Sequence, residues 1–328
     1  MRAGPYSVTV TVPARIHLGF LDLNGELGRR FGSIGLAITG LRTRVTVSRA
    51  RRAQIVGPEQ ERIRRYVERL QAFLEFDGPL SIRLDEAVPP HAGLGSGTQL
   101  ALALAAAVRE LNGLPLDTRG DAYRLGRGRR SGIGIALFDS GGVVVDGGRA
   151  AESRAAPVVS RIPFPENWRI LLVLDPARSG VHGEDESAAF ARLSPLPGEQ
   201  AGRICRLVLM QALPALVEAD LPAFAAAIKE MQQLLGAHFA PWQGGHAFMS
   251  RDVEAALALL EGEGALGIGQ SSWGPTGFAF APSQAEAERL VAFARRHPRC
   301  RGLDIRICQG LNRGAQIAAG TVAAVTNL

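Results

Sequence analysis

Lysine is almost missing from this 328-residue sequence. Lys229 is the single lysine, so arginine supplies nearly all of the 37 basic side chains, and the net charge is +6. A phosphate loop ending in Gly-Lys-Ser or Gly-Lys-Thr is therefore excluded, because Lys229 lies far from the glycine-rich segments. Arginine binds carboxylates and phosphates through two parallel hydrogen bonds, so its excess favours a small anionic substrate.

Cysteines, aromatic residues and long apolar runs are also scarce. Cys205, Cys300 and Cys308 have neither metal-binding nor redox spacing, which predicts a reduced, cytoplasmic protein. Aromatic residues make up 6% and the positive charge is dispersed, so we expect no nucleic-acid partner. The longest apolar run, near 100–108, is too short to span a membrane, and the N-terminus lacks a signal-peptide pattern. We therefore expect no membrane partner.

Hydrophobic periodicity predicts an α+β fold, in which strand-rich and helix-rich stretches are separate. Strands are predicted at 6–13, 43–49, 79–85 and 168–175, at the end of 267–280 and in the segment LDIRICQG, and a hairpin at 135–148. Helices are predicted at 59–75, 95–111, 118–128, 199–219, 221–237, 250–261 and 283–296. The small and polar segment RAAESRAAPVVS, 149–160, is typical of a domain boundary, which predicts domains over 1–160 and 161–328.

The segment HAGLGSGTQ, 91–99, precedes the predicted helix rich in alanine and leucine. Glycines allow the backbone to approach a ligand, and a helix N-terminus presents partial positive charge, so this pattern indicates an anion site. A tight strand-to-helix turn is the alternative. A dinucleotide fold is disfavoured, because Asp117, at the right distance for the ribose-binding acid, follows a turn and not a strand.

The same segment resembles the phosphate loop of the GHMP kinase superfamily. Its matching residues are Pro89, Gly93, Leu94, Gly95, Ser96 and Gly97. VPARIHLGFLD at 12–22 is similar to the superfamily's N-terminal motif, and GIGQSSWGPTGFAF at 267–280 to its C-terminal glycine-rich motif. The resemblance implies an N-terminal α/β domain holding a phosphate ligand, and a C-terminal ferredoxin-like domain closing over it.

Two departures weaken an assignment as a kinase. Many superfamily kinases carry an aspartate after a Ser-Gly-x pair, but GRRSGIG places Gly134 there, and Asp139 could replace it only if the backbone were rebuilt. The C-terminal loop contains Trp273, whose flat face suits an aromatic or sugar ring, although a tryptophan in the core is equally consistent.

A narrower resemblance covers 14–38, ARIHLGFLDLNGELGRRFGSIGLAI, together with GRRSGIG and SSWGPT. These segments are similar to the β-ribofuranosylaminobenzene 5′-phosphate synthase family, GHMP-fold enzymes of tetrahydromethanopterin synthesis. The resemblance implies condensation of 5-phosphoribosyl 1-pyrophosphate with 4-aminobenzoate or 4-hydroxybenzoate, releasing CO2 and pyrophosphate. It also implies Mg2+ as cofactor and a homodimer; it leaves the preferred benzoate and the Mg2+ ligands open.

The family's chemistry implies roles for particular residues. Arg15, His17 and Asp22 are expected at the reacting centre, with Asp22 as a metal or ribose-hydroxyl partner. Arg29 and Arg30 are expected to hold the carboxylate or the 5′-phosphate, and Trp273 the ring. The remaining substrate-binding expectations are Ser33, Gly93, Leu94, Gly95, Ser96, Gly97, Thr98, Ser272 and Thr276. His182 and Glu184 are expected in a solvated loop, with closure over the site as the alternative.

Two other functions stay open at this point. An ATP-dependent small-molecule kinase would use the same loop but needs a base that the sequence does not offer. A non-catalytic nucleotide- or RNA-binding module would exploit the basic charge and bind in a salt-sensitive way.

Overall fold

A computed structural model describes residues 6–180, 188–190 and 192–320. His182 and Glu184 lie outside the described residues. The strands are β1 Ser7–Asp22, β2 Phe31–Arg49, β3 Gln54–Val56, β4 Leu80–Glu86, β5 Val143–Asp146, β6 Val158–Ile162, β7 Arg169–Leu174, β8 Leu266–Gln270, β9 Gly277–Ala281, β10 Asp304–Cys308 and β11 Gln316–Gly320. The helices are α1 Gln60–Leu74, α2 Ser96–Leu111, α3 Thr118–Arg124, α4 Ile133–Ser140, α5 Gly198–Leu207, α6 Leu213–Glu218, α7 Leu221–Phe239, α8 Arg251–Gly262 and α9 Gln284–Arg296, with a π-helical turn Val208–Ala212 between α5 and α6.

Two sheets organise the molecule. The larger has the order β11-β1-β2-β4-β3, and β5 pairs with both β2 and β6. The smaller has the order β10-β7-β9-β8, and its paired strands are antiparallel. In chain order these four strands run 4-1-3-2, the order of a ferredoxin-like sheet, so the predicted α+β two-domain fold is confirmed.

The burial pattern of β1 changes along the strand. Over Val8, Val10 and Val12 every second residue is buried, as expected for a strand with one wet face. From Ala14 to Phe20 almost every residue is buried, because the second half of the molecule covers the other face. The prediction of a strand at 6–13 is therefore confirmed but too short, since alternation ends where both faces become covered.

Helix α2 packs its alanine and leucine run against β1 and β2 and lies next to α1. Nearly every residue from Gln99 to Leu111 is buried, which is the pattern of a helix surrounded by protein. This burial fixes the position of the helix N-terminus at Ser96, immediately after the glycine-rich segment.

A buried ion pair ties α2 to α3. Arg109 donates from Nε and Nη2 to the two carboxylate oxygens of Asp121, at 2.6 and 2.7 Å. Arg109 is 7% and Asp121 1% exposed, and the carboxylate raises the pKa of the guanidinium. Since both charges lie out of water, each depends on the other for compensation.

The predicted hairpin at 135–148 is wrong. Residues Ile133–Ser140 form helix α4, which ends at Gly141 (φ 63°), and only β5 follows as a strand. The helix is buried over Ile133–Phe138, so its apolar run has no polar side that would reveal a helical period.

The boundary predicted at residue 160 falls inside β6, and β11 returns from the C-terminal half to pair with β1. The first sheet therefore takes strands from both predicted domains, because the outer edge of β1 requires a partner. No helix in the described part of the chain is long and apolar enough to cross a membrane.

Candidate active site

The glycine-rich loop joins β4 to α2. Gly93 and Gly95 have φ values of 78° and 83°, a left-handed conformation that favours glycine. A β-carbon at Gly93 would lie 2.2 Å from the carbonyl oxygen of Ser271. The amides of Thr98 and Gln99 donate to the Gly95 carbonyl. The amides before them lie at the positive end of the helix dipole, so the loop can hold an anion.

The three sequence motifs meet at Gly93. Its carbonyl oxygen accepts hydrogen bonds from Arg15 Nη1 and from Ser271 Oγ, both at 2.8 Å. The amide of His17 donates to Ser271 Oγ at 3.0 Å, and the amide of Arg15 donates to the carbonyl of Leu94 at 3.2 Å. The structure therefore brings together Arg15, His17 and the predicted loop.

Two arginines that the sequence reasoning missed also lie at this site. A β-carbon at Gly97 would be 3.2 Å from Arg127 Nη1, and Tyr66, which donates to the Gly97 carbonyl, also contacts the Arg127 guanidinium. The guanidinium of Arg130 stacks 4.7 Å from the ring centre of Phe190. Both belong to GRGRRSGIG, 126–134, whose arginine content was the available signal.

A β-bulge between His17 and Gly19 interrupts the pairing of β1 with β2. Bulges re-aim side chains and are common beside active sites. The His17 ring is 2% exposed and lies 4.5 Å from the Phe20 ring, and neither ring nitrogen has a hydrogen-bond partner among the described residues. Burial, with a further contribution from the charge of Arg15, lowers its pKa well below the usual value, so the imidazole is neutral.

An aromatic cavity lies between β1, α7 and the C-terminal loop. Its volume is about 20 Å³, which leaves room for about one water-sized group, and it opens to solvent. The lining residues are His17, Gly19, Phe20, Phe190, Gln232, Leu235, Gly236, Phe239, Ala247, Gln270, Ser272 and Trp273. The Trp273 ring packs 4.7 Å from Phe190 and 5.0 Å from Phe239. A cavity walled by aromatic rings suits a flat aromatic ligand.

The C-terminal motif supplies both a wall and a tight turn. Ser272 is in the left-handed region (φ 55°), and the amide of Ser271 donates to the carbonyl of Thr276 at 2.9 Å. Trp273 Nε1 and Thr276 Oγ1 are buried without a hydrogen-bond partner in the described structure. Trp273 and Ser272 line the cavity, whereas Thr276 lies at the closing end of the turn.

Gly134 packs against the glycine-rich loop at 93–98, called the anion loop below. A β-carbon there would be 3.1 Å from Thr98 Cγ2, and its carbonyl accepts a hydrogen bond from Gln99 Nε2 at 3.3 Å. Asp139 lies in the last turn of α4, where Thr118 and Arg119 are its polar neighbours. The position that resembles the kinase aspartate is thus beside the loop, but Gly134 offers no carboxylate.

The DLNGELGRRFG segment lies at the β1–β2 turn. Asp22 accepts hydrogen bonds from the amides of Asn24 and Gly25, at 2.6 and 3.0 Å. Arg29 donates to the carbonyls of Gly147 and Gly148, at 2.7 and 2.8 Å. These contacts occupy both side chains in holding the turn; their predicted contacts with substrate stay predictions.

Arg30 and Ser33 follow on β2 and its approach. The Arg30 guanidinium stacks 5.6 Å from the ring centre of Phe31, whose ring lies 6.2 Å from Phe190 of the cavity wall. Ser33 is fully buried and stands opposite Asp146 in the register of β2 and β5.

Asp146 is a buried carboxylate that the sequence reasoning also missed. It accepts hydrogen bonds from the amides of Gly132 and Gly148, at 2.8 and 2.9 Å. Burial raises its pKa to about 6, against the opposing effect of these hydrogen bonds. The carboxylate thereby fixes the segment that carries Arg127 and Arg130.

We expect Asp146 to make stability depend on pH. Its pKa of about 6 exceeds the usual 3.8, so between these values the native state binds more protons than the unfolded state, and stability falls as pH rises. Relative to Asp146→Asn, the wild type should lose about 2 kcal/mol between pH 4 and pH 7. Urea unfolding of both proteins across this range measures the difference, and a constant difference would contradict the assignment.

The described side chains around the loop do not form a site for Mg2+. Within 6–180, 188–190 and 192–320, no three His, Cys, Asp or Glu side chains cluster as a metal site. The loop and its neighbours offer amides, hydroxyls and guanidinium groups, which bind anions. Mg2+ prefers carboxylates and phosphate oxygens, so these residues do not fit a metal ion held by the protein alone.

Comparisons with known proteins agree with this geometry. Models of the GHMP kinases N-terminal domain and of the GHMP kinases C-terminal region match residues 61–142 and 212–300. The chain is 36% identical to a protein of Archaeoglobus fulgidus named beta-ribofuranosylphenol 5'-phosphate synthase, over 93% of this chain and 97% of that one. It is 31% identical to a protein of the same name from Methanothermobacter thermautotrophicus, over 81% and 86%. Among solved structures, mevalonate diphosphate decarboxylase from Staphylococcus aureus is similar in fold, with a TM-score of 0.70 at 16% identity, over 95% of this chain and 98% of that one.

Proposed function

The chain belongs to the GHMP-fold family of beta-ribofuranosylphenol 5'-phosphate synthases, and from this premise we propose that it is a phosphoribosyltransferase. It condenses 5-phosphoribosyl 1-pyrophosphate with a 4-substituted benzoate and releases CO2 and pyrophosphate, in tetrahydromethanopterin biosynthesis. The word phenol in the relatives' names favours 4-hydroxybenzoate over 4-aminobenzoate. The observation that carries the proposal is the contact between an anion loop and an aromatic cavity.

The loop at 93–98 holds the pyrophosphate group in this proposal. Arg15, on the Gly93 carbonyl, and Arg127, beside Gly97, flank it with positive charge. As the bond from the anomeric carbon to pyrophosphate breaks, negative charge builds on the leaving oxygen. Fixed amides and guanidinium groups stabilise that charge without reorganisation, which is how such sites lower a barrier.

In this proposal the benzoate ring enters between Phe20, Phe190, Phe239 and Trp273, and these walls move apart to admit it, because the cavity between them is only about 20 Å³. Arg130, stacked on Phe190, supplies a cation at the cavity wall. The ring carbon bearing the carboxylate attacks the anomeric carbon, and loss of CO2 then restores aromaticity. Because the ring is the nucleophile, no substrate alcohol has to lose a proton before attack, which is consistent with Gly134 in place of a carboxylate.

Mg2+ enters this proposal with the substrate, as a counter-ion of the pyrophosphate group. The anion-binding donor set of the loop suits the phosphate oxygens and leaves coordination of the metal to them.

We also propose a cytoplasmic homodimer. The three cysteines are free thiols, and the exposed apolar side chains of Leu209, Met210 and Val217 on α5–α6 suit contact with a second copy.

The direct test is release of labelled CO2. The protein is incubated with carboxyl-labelled 4-hydroxybenzoate or 4-aminobenzoate, 5-phosphoribosyl 1-pyrophosphate and Mg2+; a parallel reaction contains ATP in place of the phosphoribosyl donor. We expect release only with the phosphoribosyl donor. No release above the blank with either benzoate would overturn the proposal, and ATP hydrolysis dependent on a small alcohol would favour the kinase.

Ser96→Ala should separate the two substrates. Ser96 is the first residue of α2, where its hydroxyl adds a donor to the anion site. Loss of a hydrogen bond to a charged group should raise the KM for 5-phosphoribosyl 1-pyrophosphate about tenfold. The KM for the benzoate should stay nearly unchanged. Steady-state kinetics with each substrate varied in turn measures both, and an equal loss would identify the loop as a structural turn only.

A further inference from the structure

Two side chains that line the aromatic cavity carry polar atoms with no hydrogen-bond partner among the described residues. Both ring nitrogens of His17 and Nε1 of Trp273 are buried without a hydrogen-bond partner in the described part of the chain, in residues only 2% and 3% exposed. A buried polar atom left in this state is costly unless a ligand completes it. Two amide side chains of the wall differ in this respect, because Gln232 and Gln270 hydrogen-bond to backbone groups around them.

The two groups differ in what they offer. The indole N–H of Trp273 can only donate. His17 is neutral, because burial above all, and the charges of Arg15 and Arg130, lower its pKa against the raising effect of its own backbone. One ring nitrogen of a neutral imidazole accepts a hydrogen bond and the other donates one. Together the two side chains offer a ligand atom a pair of groups, the Trp273 donor and the His17 acceptor, and the second His17 nitrogen adds an N–H donor.

A phenolic hydroxyl matches that pair, since it accepts one hydrogen bond and donates another. The amino group of an aminobenzoate donates two hydrogen bonds, but its lone pair is delocalised into the ring and accepts poorly. When the amino compound binds, the buried donor of the site therefore has no acceptor. The free energy lost in this way makes the site select the hydroxy compound over the amino compound.

We propose that His17 and Trp273 recognise the 4-hydroxyl group of the benzoate, with Trp273 Nε1 donating to its oxygen and His17 accepting its proton. This inference rests on the proposed function and deepens it. It assigns the choice between 4-hydroxybenzoate and 4-aminobenzoate to these two side chains.

The same contact serves the reaction. When the ring carbon para to the hydroxyl forms its bond to the anomeric carbon, the bond to pyrophosphate breaks and the hydroxyl becomes strongly acidic. His17 takes that proton, which leaves a neutral dienone oxygen that accepts from Trp273. As the bond to the carboxylate breaks, CO2 leaves, its electron pair restores the aromatic ring, and the oxygen recovers the proton from His17. No net proton is gained or lost.

The test measures binding by calorimetry, with pyrophosphate present, for 4-hydroxybenzoate, 4-aminobenzoate and the isosteric 4-methylbenzoate. We expect wild-type protein to bind the hydroxy compound at least about tenfold more tightly than the methyl compound. Trp273→Phe keeps an aromatic wall and removes the donor, so it should weaken 4-hydroxybenzoate several-fold and leave 4-methylbenzoate and 4-aminobenzoate nearly unchanged. His17→Leu should weaken the hydroxy and amino compounds, which both donate to the ring nitrogen, and spare the methyl compound, whereas His17→Gln, which keeps an acceptor, should restore part of the affinity.

Trp168→Phe is the matched control, because Trp168 is a buried tryptophan of the core that does not line the cavity. It should not alter the hydroxyl preference. Equal wild-type affinity for the hydroxy and methyl compounds, or an equal weakening of all three benzoates by Trp273→Phe, would overturn the inference. Labelled CO2 release by wild-type protein is measured in parallel: release without a hydroxyl preference refutes only this inference, and a hydroxyl preference without release refutes only the proposed reaction.

Discussion

Gly93→Ala is expected to lower kcat/KM for 5-phosphoribosyl 1-pyrophosphate at least about a hundredfold, since displacement of reacting groups by about 1 Å costs this much. Two effects combine at this position. Its φ of 78° strains any residue with a β-carbon, and that carbon would lie 2.2 Å from the Ser271 carbonyl oxygen. Because Ser271 and Arg15 both donate to the Gly93 carbonyl, the substitution separates the loop from two motifs at once.

Gly113→Ala is the matched control for this substitution. Gly113 follows the other end of α2 with a φ of 66°, but a β-carbon there would meet no atom within 4 Å. It therefore carries the backbone strain without the steric clash. We expect it to lower the melting temperature slightly and to retain kcat/KM. A comparable loss of activity in both variants would mean that the fold, and not the loop contact, is affected.

Asp121→Ala is expected to lower the free energy of unfolding by about 3–5 kcal/mol, because it leaves a buried guanidinium without its partner. Asp121 receives both hydrogen bonds from Arg109, and both side chains are almost fully buried. Asp117, 3.8 Å from Arg109, is half exposed and compensates only in part. Urea unfolding at pH 7 measures the change.

Glu86→Ala supplies the exposed counterpart. Arg42 and Glu86 form the same two-bond geometry, at 2.7 and 2.8 Å, with both side chains about half exposed. Water already stabilises these charges, so the loss should be far smaller. The double substitution Arg109→Met with Asp121→Leu should recover most of the stability lost in Asp121→Ala. If Asp121→Ala lowers the free energy of unfolding no more than Glu86→Ala does, burial does not make this ion pair more costly to break.

Elements that show one dominant pattern were predictable from the sequence. The alternation of Val8, Val10 and Val12 gave the start of β1, and the alanine-rich run gave α2 to within one residue of its observed ends. The 135–148 segment could not be assigned in this way, because Ile133–Phe138 is buried on all sides and either a strand or a buried helix fits such an apolar run.

The site was predictable where a motif is local. The loop at 93–98, Arg15, His17 and Trp273 follow from short segments, and the structure brings them together. The cavity wall could not be predicted from the sequence. Phe190 and Phe239 come from helical segments, in which an aromatic residue of the cavity resembles any other core residue. The role of Asp146 depends on its register opposite Ser33, which no spacing along the chain records.

Strand β11 has a consequence for how the protein acquires its site during synthesis. Residues 316–320 pair with residues 7–11 of the strand that carries Arg15 and His17, a separation of more than 300 positions. Contacts so distant in sequence form late and slow folding, because the long intervening chain must first be closed. The strand at the centre of the candidate site is thus translated about 300 residues before β11 and lacks this partner until β11 has left the ribosome. Until then its outer edge is an unpaired strand edge, which is open to aggregation.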